Sequence, residues 1–113
     1  MLIIVFRSRV MPQARDDYAH WMARMSALAV TMPGYLSHKG FAAQDGEQVT
    51  IIEFESEAAL RAWSAHPEHL AAKKKGRRDF YLEYRVQVCT LERESAYPDR
   101  GGRARAAAPA QGG

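Results

Sequence analysis

Apolar patterns follow one another along this chain in the order strand, helix, strand, strand, helix, strand, which predicts an α+β fold with one antiparallel sheet and helices on one face. Three observations carry the prediction. Residues Leu2 to Val10 and Phe80 to Leu91 alternate between apolar and polar positions, as half-buried strands do. Tyr18, Met22, Met25, Ala29 and Met32 recur at helical spacing between two such runs. Asp45-Gly46 divides two further strand-like stretches.

In the first strand Leu2, Ile4, Phe6, Ser8 and Val10 share one face, and Ile3, Val5, Arg7 and Arg9 share the other. Pro12 suits the first turn of the helix that follows, and Trp21 and Leu28 widen its apolar stripe. Pro33-Gly34 ends that helix near Met32 by removing a donor and adding a flexible site. Tyr35 to Ala43 and Val49 to Glu55 then form a hairpin, for which Asp45-Gly46 predicts a type I′ turn. Ser56 is placed to cap a short helix carrying Ala59, Leu60 and Trp63 on one stripe. His66-Pro67 breaks it, because the residue before proline avoids the α region. A second short helix is expected from Pro67 to Lys75, ended by Gly76 as a left-handed cap. In the last strand Tyr81 and Tyr84 fall on opposite faces, so at most one of them is expected under the helices.

With 113 residues, 47% hydrophobic and 26% charged, the chain suits one folded domain of modest core. Residues 1–95 are expected to form it. The Ala/Gly/Arg-rich stretch 96–113 cannot bury enough apolar area to offset its ordering entropy, so a disordered tail is expected there. The net charge of +3 owes much to Arg100, Arg103 and Arg105 in that tail. The remaining basic run, Lys73 to Arg78, lacks interleaved aromatics, so no nucleic-acid partner is expected. No apolar run is long enough to span a bilayer and no signal peptide is visible, so a soluble, cytoplasmic protein is expected. A single cysteine, Cys89, excludes an intrachain disulfide.

This element order is the split β-α-β arrangement of ferredoxin-like domains, in which the first strand neighbours the third. If Phe6, Phe54 and Tyr84 point toward the helices, the open face carries Arg7, Arg9, Glu53, Glu55, Glu83 and Arg85 with apolar Ile3, Val5, Val49 and Ile51. Such a face is either solvated or covered by a second copy, with arginine–glutamate pairs setting the register.

The chain resembles the antibiotic biosynthesis monooxygenase superfamily over residues 1–95. The resemblance is carried by Ile3-Ile4-Val5 to Arg9, Met32-Pro33-Gly34-Tyr35, Asp45-Gly46 with Thr50 to Ser56, Ala59 to Trp63, and His66-Pro67-Glu68-His69 through Arg77. It implies a dimeric α/β barrel, a homodimer joined through the open sheet faces, and a pocket between the sheet and helices of each subunit. It also implies cofactor-free oxidation of a phenol- or quinol-like aromatic by O2. The alternatives are a non-catalytic dimeric ligand-binding domain or a haem-binding protein with a non-standard ligand set. The haem-degrading branch carries an asparagine late in strand one, a helix-two tryptophan, and an iron-ligating histidine ten residues later. Trp63 matches, but Ser8 and Lys73 stand at the other two positions, and a protonated lysine has no lone pair for iron.

Trp63, His66 and His69 are the catalytic candidates. Trp63 suits a pocket wall or plain core, and a near-neutral imidazole suits removal of a phenolic proton if it reaches the substrate. His66 is equally suited to ending a helix before Pro67. Phe6, Ser8, Met25, Phe54, Arg77 and Tyr84 are the substrate-binding candidates, Met25 because a flexible thioether accommodates flat rings and Ser8 or Arg77 because either can face an anion. Two histidines without a third ligand do not define a metal site, so none is expected.

Overall fold

A computed structural model describes residues 1–98 of the chain. Strand β1 spans Leu2–Val10; a short 3-10 turn at Pro12–Ala14 leads into helix α1, Arg15–Ala29. Strands β2 (Tyr35–Ala42) and β3 (Gln48–Phe54) form the hairpin, followed by helices α2 (Glu57–Ser64) and α3 (Pro67–Lys75). A π-helical turn, Gly76–Phe80, runs directly into strand β4, Tyr81–Thr90. The strands lie in the order β2-β3-β1-β4, every neighbour antiparallel, which is the ferredoxin-like arrangement. The part of the expected tail from residue 99 onward lies outside the described residues. Among those described, no helix is long and apolar enough to cross a membrane.

Alternation decides what each strand buries. Ile4 and Phe54 are sealed under the helices, Phe54 completely, where they meet Met25 and Ala29 of α1 and Trp63 of α2, and Ser8 is buried on the same strand face as Ile4. A second cluster of Ala14, Tyr18 and Phe80 closes the end near the π turn, with the Tyr18 and Phe80 rings edge to face at 5.7 Å. The Ser56 hydroxyl caps α2 by accepting from the Ala59 N–H at 3.2 Å, as its position suggests.

Three local expectations are corrected. The β2–β3 turn is not type I′, which needs positive φ at both Asp45 and Gly46; only Gly46 has it, at 92°. The Gly46 N–H instead donates to the Ala43 carbonyl and the Ala43 N–H to the Glu47 carbonyl, so Gln44-Asp45-Gly46 forms a three-residue loop. Gly76 is not a left-handed cap: its φ is −59°, and the chain continues helically into the π turn. Its need for glycine is steric, because a Cβ there would lie 2.6 Å from Cε2 of Tyr81. Finally, Tyr81 and Tyr84 do not diverge. Between Arg9 and Val10 the register of β1 with β4 slips, Arg9 facing Glu83 while Val10 faces Tyr81, and the bulged Leu82 is left exposed. Both tyrosines therefore reach the helix side.

Gly34 is required twice over, by its φ of +85° and by Ala59, whose Cβ a methyl group at Gly34 would strike. Gly34→Ala is expected to cost about 1–3 kcal/mol through strain and overpacking. A lowered denaturant midpoint with an unchanged slope checks it, whereas an unaltered midpoint would contradict the steric account.

Candidate functional site

The helix layer stands away from the sheet far enough to leave a cavity of about 430 Å³. That size suits a small organic molecule, for which sites of roughly 300–1,000 Å³ are usual. Its floor is the alternate set Ile4, Phe6, Ile52 and Phe54 of β1 and β3, and its roof is Met22, Met25 and Ala29 of α1 with Trp63 of α2. Each lies there because period two on the strands and period 3.6 on the helices bring these positions to the same interior.

One side of the cavity is aromatic. Phe6, Tyr81 and Tyr84 pack with ring centroids 5.4 to 5.9 Å apart. Burial and the adjacent Tyr18 raise the pKa of the Tyr81 hydroxyl, so it stays protonated. Arg77 enters from the π turn, its Nε donating to the Tyr84 hydroxyl at 2.8 Å. Across the cavity His38 sits between two hydroxyls, Nδ1 2.6 Å from Tyr35 Oη and Nε2 3.2 Å from Ser26 Oγ. Burial lowers its pKa.

His69 stacks on Trp63 with centroids 4.2 Å apart and planes 12° from parallel. Its Nδ1 is 3.1 Å from the Trp63 carbonyl oxygen, which can only accept, so Nδ1 carries the hydrogen and Nε2 keeps its lone pair. Burial, reinforced by the nearby Lys73 cation, pushes its pKa down to about 4. At neutral pH this is an uncharged imidazole beside an apolar floor and roof, able to accept one hydrogen bond or one proton.

The structure thus brings Trp63, His69, Phe6, Met25, Phe54, Arg77 and Tyr84 together on the cavity wall, and leaves two candidates off it. His66 is the N-cap of α3: its Nδ1 accepts from the Glu68 N–H at 3.1 Å, which occupies the lone pair a base would use. Ser8 is buried in the sheet at 2% exposure and does not line the cavity. Sequence reading missed His38, Tyr81 and Lys73. A bulge hid Tyr81, and β2 has its own register shift between Tyr35 and Ser37, which obscured the face of His38. In the sequence Lys73 stands at the position of the iron-ligating histidine and opens a basic run, and neither feature points to a cavity wall. Its Nζ donates to the Ser64 carbonyl at 3.2 Å, and with a lysine in place of the imidazole the donor set does not fit haem on the pattern of the haem-degrading branch. Among the described residues no group of three or more His, Cys, Asp or Glu side chains is arranged to hold a metal ion.

A family model described as Antibiotic biosynthesis monooxygenase matches residues 1–75. A Bacillus subtilis (strain 168) protein, the uncharacterized YqjZ, is 33% identical over 95 residues, covering 84% of this chain and 83% of its own. Among solved structures the chain is similar to Rv0793 from Mycobacterium tuberculosis, with TM-score 0.76, 20% identity, and coverage of 84% of this chain and 98% of that one. It is also similar to SnoaB, a cofactor-independent oxygenase from Streptomyces nogalater, with TM-score 0.72, 21% identity, and coverage of 87% and 97%. At these identities the two structures establish the shared fold alone.

The sign of the His69 shift gives a pH prediction. A folded-state pKa near 4, against 6.5 for an ordinary histidine, means that the unfolded chain binds the proton first. Its contribution to stability is present above about pH 6.5 and is lost as the pH falls toward 4. Thermal melts between pH 7 and 4 are expected to show a declining midpoint, with a shallower decline in His69→Gln; an identical slope in the variant would rule the assignment out.

Proposed function

The chain belongs to the antibiotic biosynthesis monooxygenase family, and from that premise we propose that it oxidises a small phenol- or quinol-like aromatic with O2, without a tightly bound cofactor. The observation that carries this reading is a neutral imidazole stacked on an indole in a cavity whose floor and roof are apolar. The substrate ring lies between Trp63 and the sheet residues Phe6 and Phe54. His69 Nε2 takes the phenolic proton. The electron-rich phenolate passes one electron to O2, the two radicals join at a ring carbon that bears a hydrogen, the resulting peroxide takes the proton back from His69, and loss of water, with that ring hydrogen, from the hydroperoxide leaves a quinone. One oxygen atom ends on the ring and the other in water. The chain binds the ring between apolar floor and roof, holds the proton and steadies the anion, with Arg77 facing the developing charge.

A conjugate acid near pKa 4 makes His69 a weak base at rest. A phenolate formed beside it favours the imidazolium and raises that pKa, so proton transfer and anion formation support each other. The same weak basicity is the one observation that favours a second reading, a ligand-binding domain without turnover.

The proposal includes a soluble, cytoplasmic homodimer joined through the open sheet face. Arg7 is paired within the chain to Glu47 by two hydrogen bonds of 2.9 and 3.1 Å, and Arg9 to Asp45 and Glu83 at 2.8 and 3.3 Å. These pairs occupy one end of the face, so its apolar residues, Val5 beside Ile51 and Val49 beside Phe41, are what a second copy would bury.

Oxygen uptake with a panel of quinols and phenols is expected above the autoxidation background, and His69→Gln is expected to lower it by roughly 10²–10³-fold. Trp63→Phe, which keeps the packing, is expected to raise KM more than it lowers kcat. No uptake with any of these substrates would count against the enzyme and favour the ligand-binding reading. Light scattering is expected to give the mass of two chains, reduced to one by Ile51→Glu; a single-chain mass for the unmodified protein would end the dimer proposal.

A further inference from the structure

Among the described residues the cavity is lined by two cations, Lys73 and Arg77, and by no carboxylate. They stand four residues apart where α3 passes into the π turn, so both reach the same rim. Each makes one hydrogen bond to the protein, Lys73 to the Ser64 carbonyl and Arg77 to the Tyr84 hydroxyl, and both are acceptors without charge. Neither forms an ion pair among the described residues. The carboxylates at this end are engaged by the cations that alternate with them: Lys75 pairs with Asp17 at 3.4 Å and Asp79 at 3.1 Å, and Arg78 pairs with Asp79 at 3.0 Å.

The far side of the cavity has the opposite character. His38 is satisfied by Tyr35 and Ser26, and burial favours its neutral form, so nothing charged faces a ligand there. Between the two sides lie apolar floor and roof. A ligand that fits this distribution is an aromatic body with one charged end. Lys73 is half-buried and Arg77 exposed at the rim, and their remaining N–H donors have no protein acceptor among the described residues, so an anion there gains charge-assisted hydrogen bonds. A neutral ring of the same shape gains none of these bonds, and the two cations stay hydrated at the rim beside it.

We infer that the cavity selects flat aromatics bearing an anionic oxygen substituent, a carboxylate or an already ionised phenol, with Lys73 and Arg77 binding the charge while the rings lie between Trp63 and Phe6. The inference rests on the cavity being the substrate site and goes beyond the oxygenase reading in naming the charge of what enters. It needs no turnover to be tested.

The test is calorimetric titration of the full chain with 2-naphthoate and with 2-naphthamide, which keeps the rings and the shape but carries no charge. Naphthoate is expected to bind roughly tenfold or more tightly at low salt. The preference is expected to shrink as salt is added, to weaken in Lys73→Met and Arg77→Met singly, and to vanish in the double variant while naphthamide binding stays within about twofold. Circular dichroism confirms that each variant is folded, and the single variants decide the matter if the double one is not. Equal affinities for the two probes, binding of neither, or a preference that survives every folded variant would overturn the inference. Oxygen uptake is read separately. Anion preference without uptake removes the oxygenase and keeps this site, whereas uptake from neutral quinols without anion preference does the reverse.

Discussion

Gly76 passes so close to Tyr81 that a single methyl group would lie 2.6 Å from the ring, and much of the site depends on that contact. At Gly76 the chain leaves α3 through a π turn, which is rare in general. The turn brings Arg77 to the cavity rim and drives Phe80 into the cluster with Tyr18. The bulge at Arg9/Val10 then turns Tyr81 and Tyr84 to one side, where they form an aromatic wall with Phe6. Two irregularities in sequence, a π turn and a β-bulge, thus shape one side of the chamber. Both are the kind of local departure that recurs near functional sites.

Charge is distributed with the same asymmetry. On the open sheet face Arg7 and Arg9 meet Glu47, Asp45 and Glu83, and these pairs hold the Glu47 and Asp45 carboxyls below their ordinary pKa values. They tie the β2–β3 turn to β1 and β4. Under the helices no carboxylate among the described residues lies on the cavity wall, and both histidines that line it favour the neutral form because burial disfavours the imidazolium. The interior is therefore a place where a negative charge is stabilised and a positive one is not added cheaply, which is the environment an aromatic anion needs.

Much of the site was legible from alternation. Once Phe54 is taken as facing the helices, Ile52 follows it, and Phe6 and Ile4 fall on the same face by period two. Trp63 and Met25 follow from the helical stripes in the same way. His66 and His69 were indistinguishable by residue type. They separate only because His66, preceding Pro67, is held outside the helix as its cap, while His69 lies one turn inside and folds back onto Trp63. Lys73 gave no signal of its own, since a lysine near a helix end is ordinarily a solvated charge favoured by the macrodipole.

The amino-acid sequence by itself determined the element order, the β1 strand from Leu2 to Val10, the Ser56 cap and the faces of the central strands, because each of these depends on neighbours a few residues away. Tertiary structure alone decided the left-open space beneath the helices, the π turn, the bulge that reunites Tyr81 with Tyr84, and the neutrality of His69. The reason is physical: a cavity, a register slip and a desolvated imidazole each depend on atoms brought together from distant parts of the chain, and no local pattern encodes that distance.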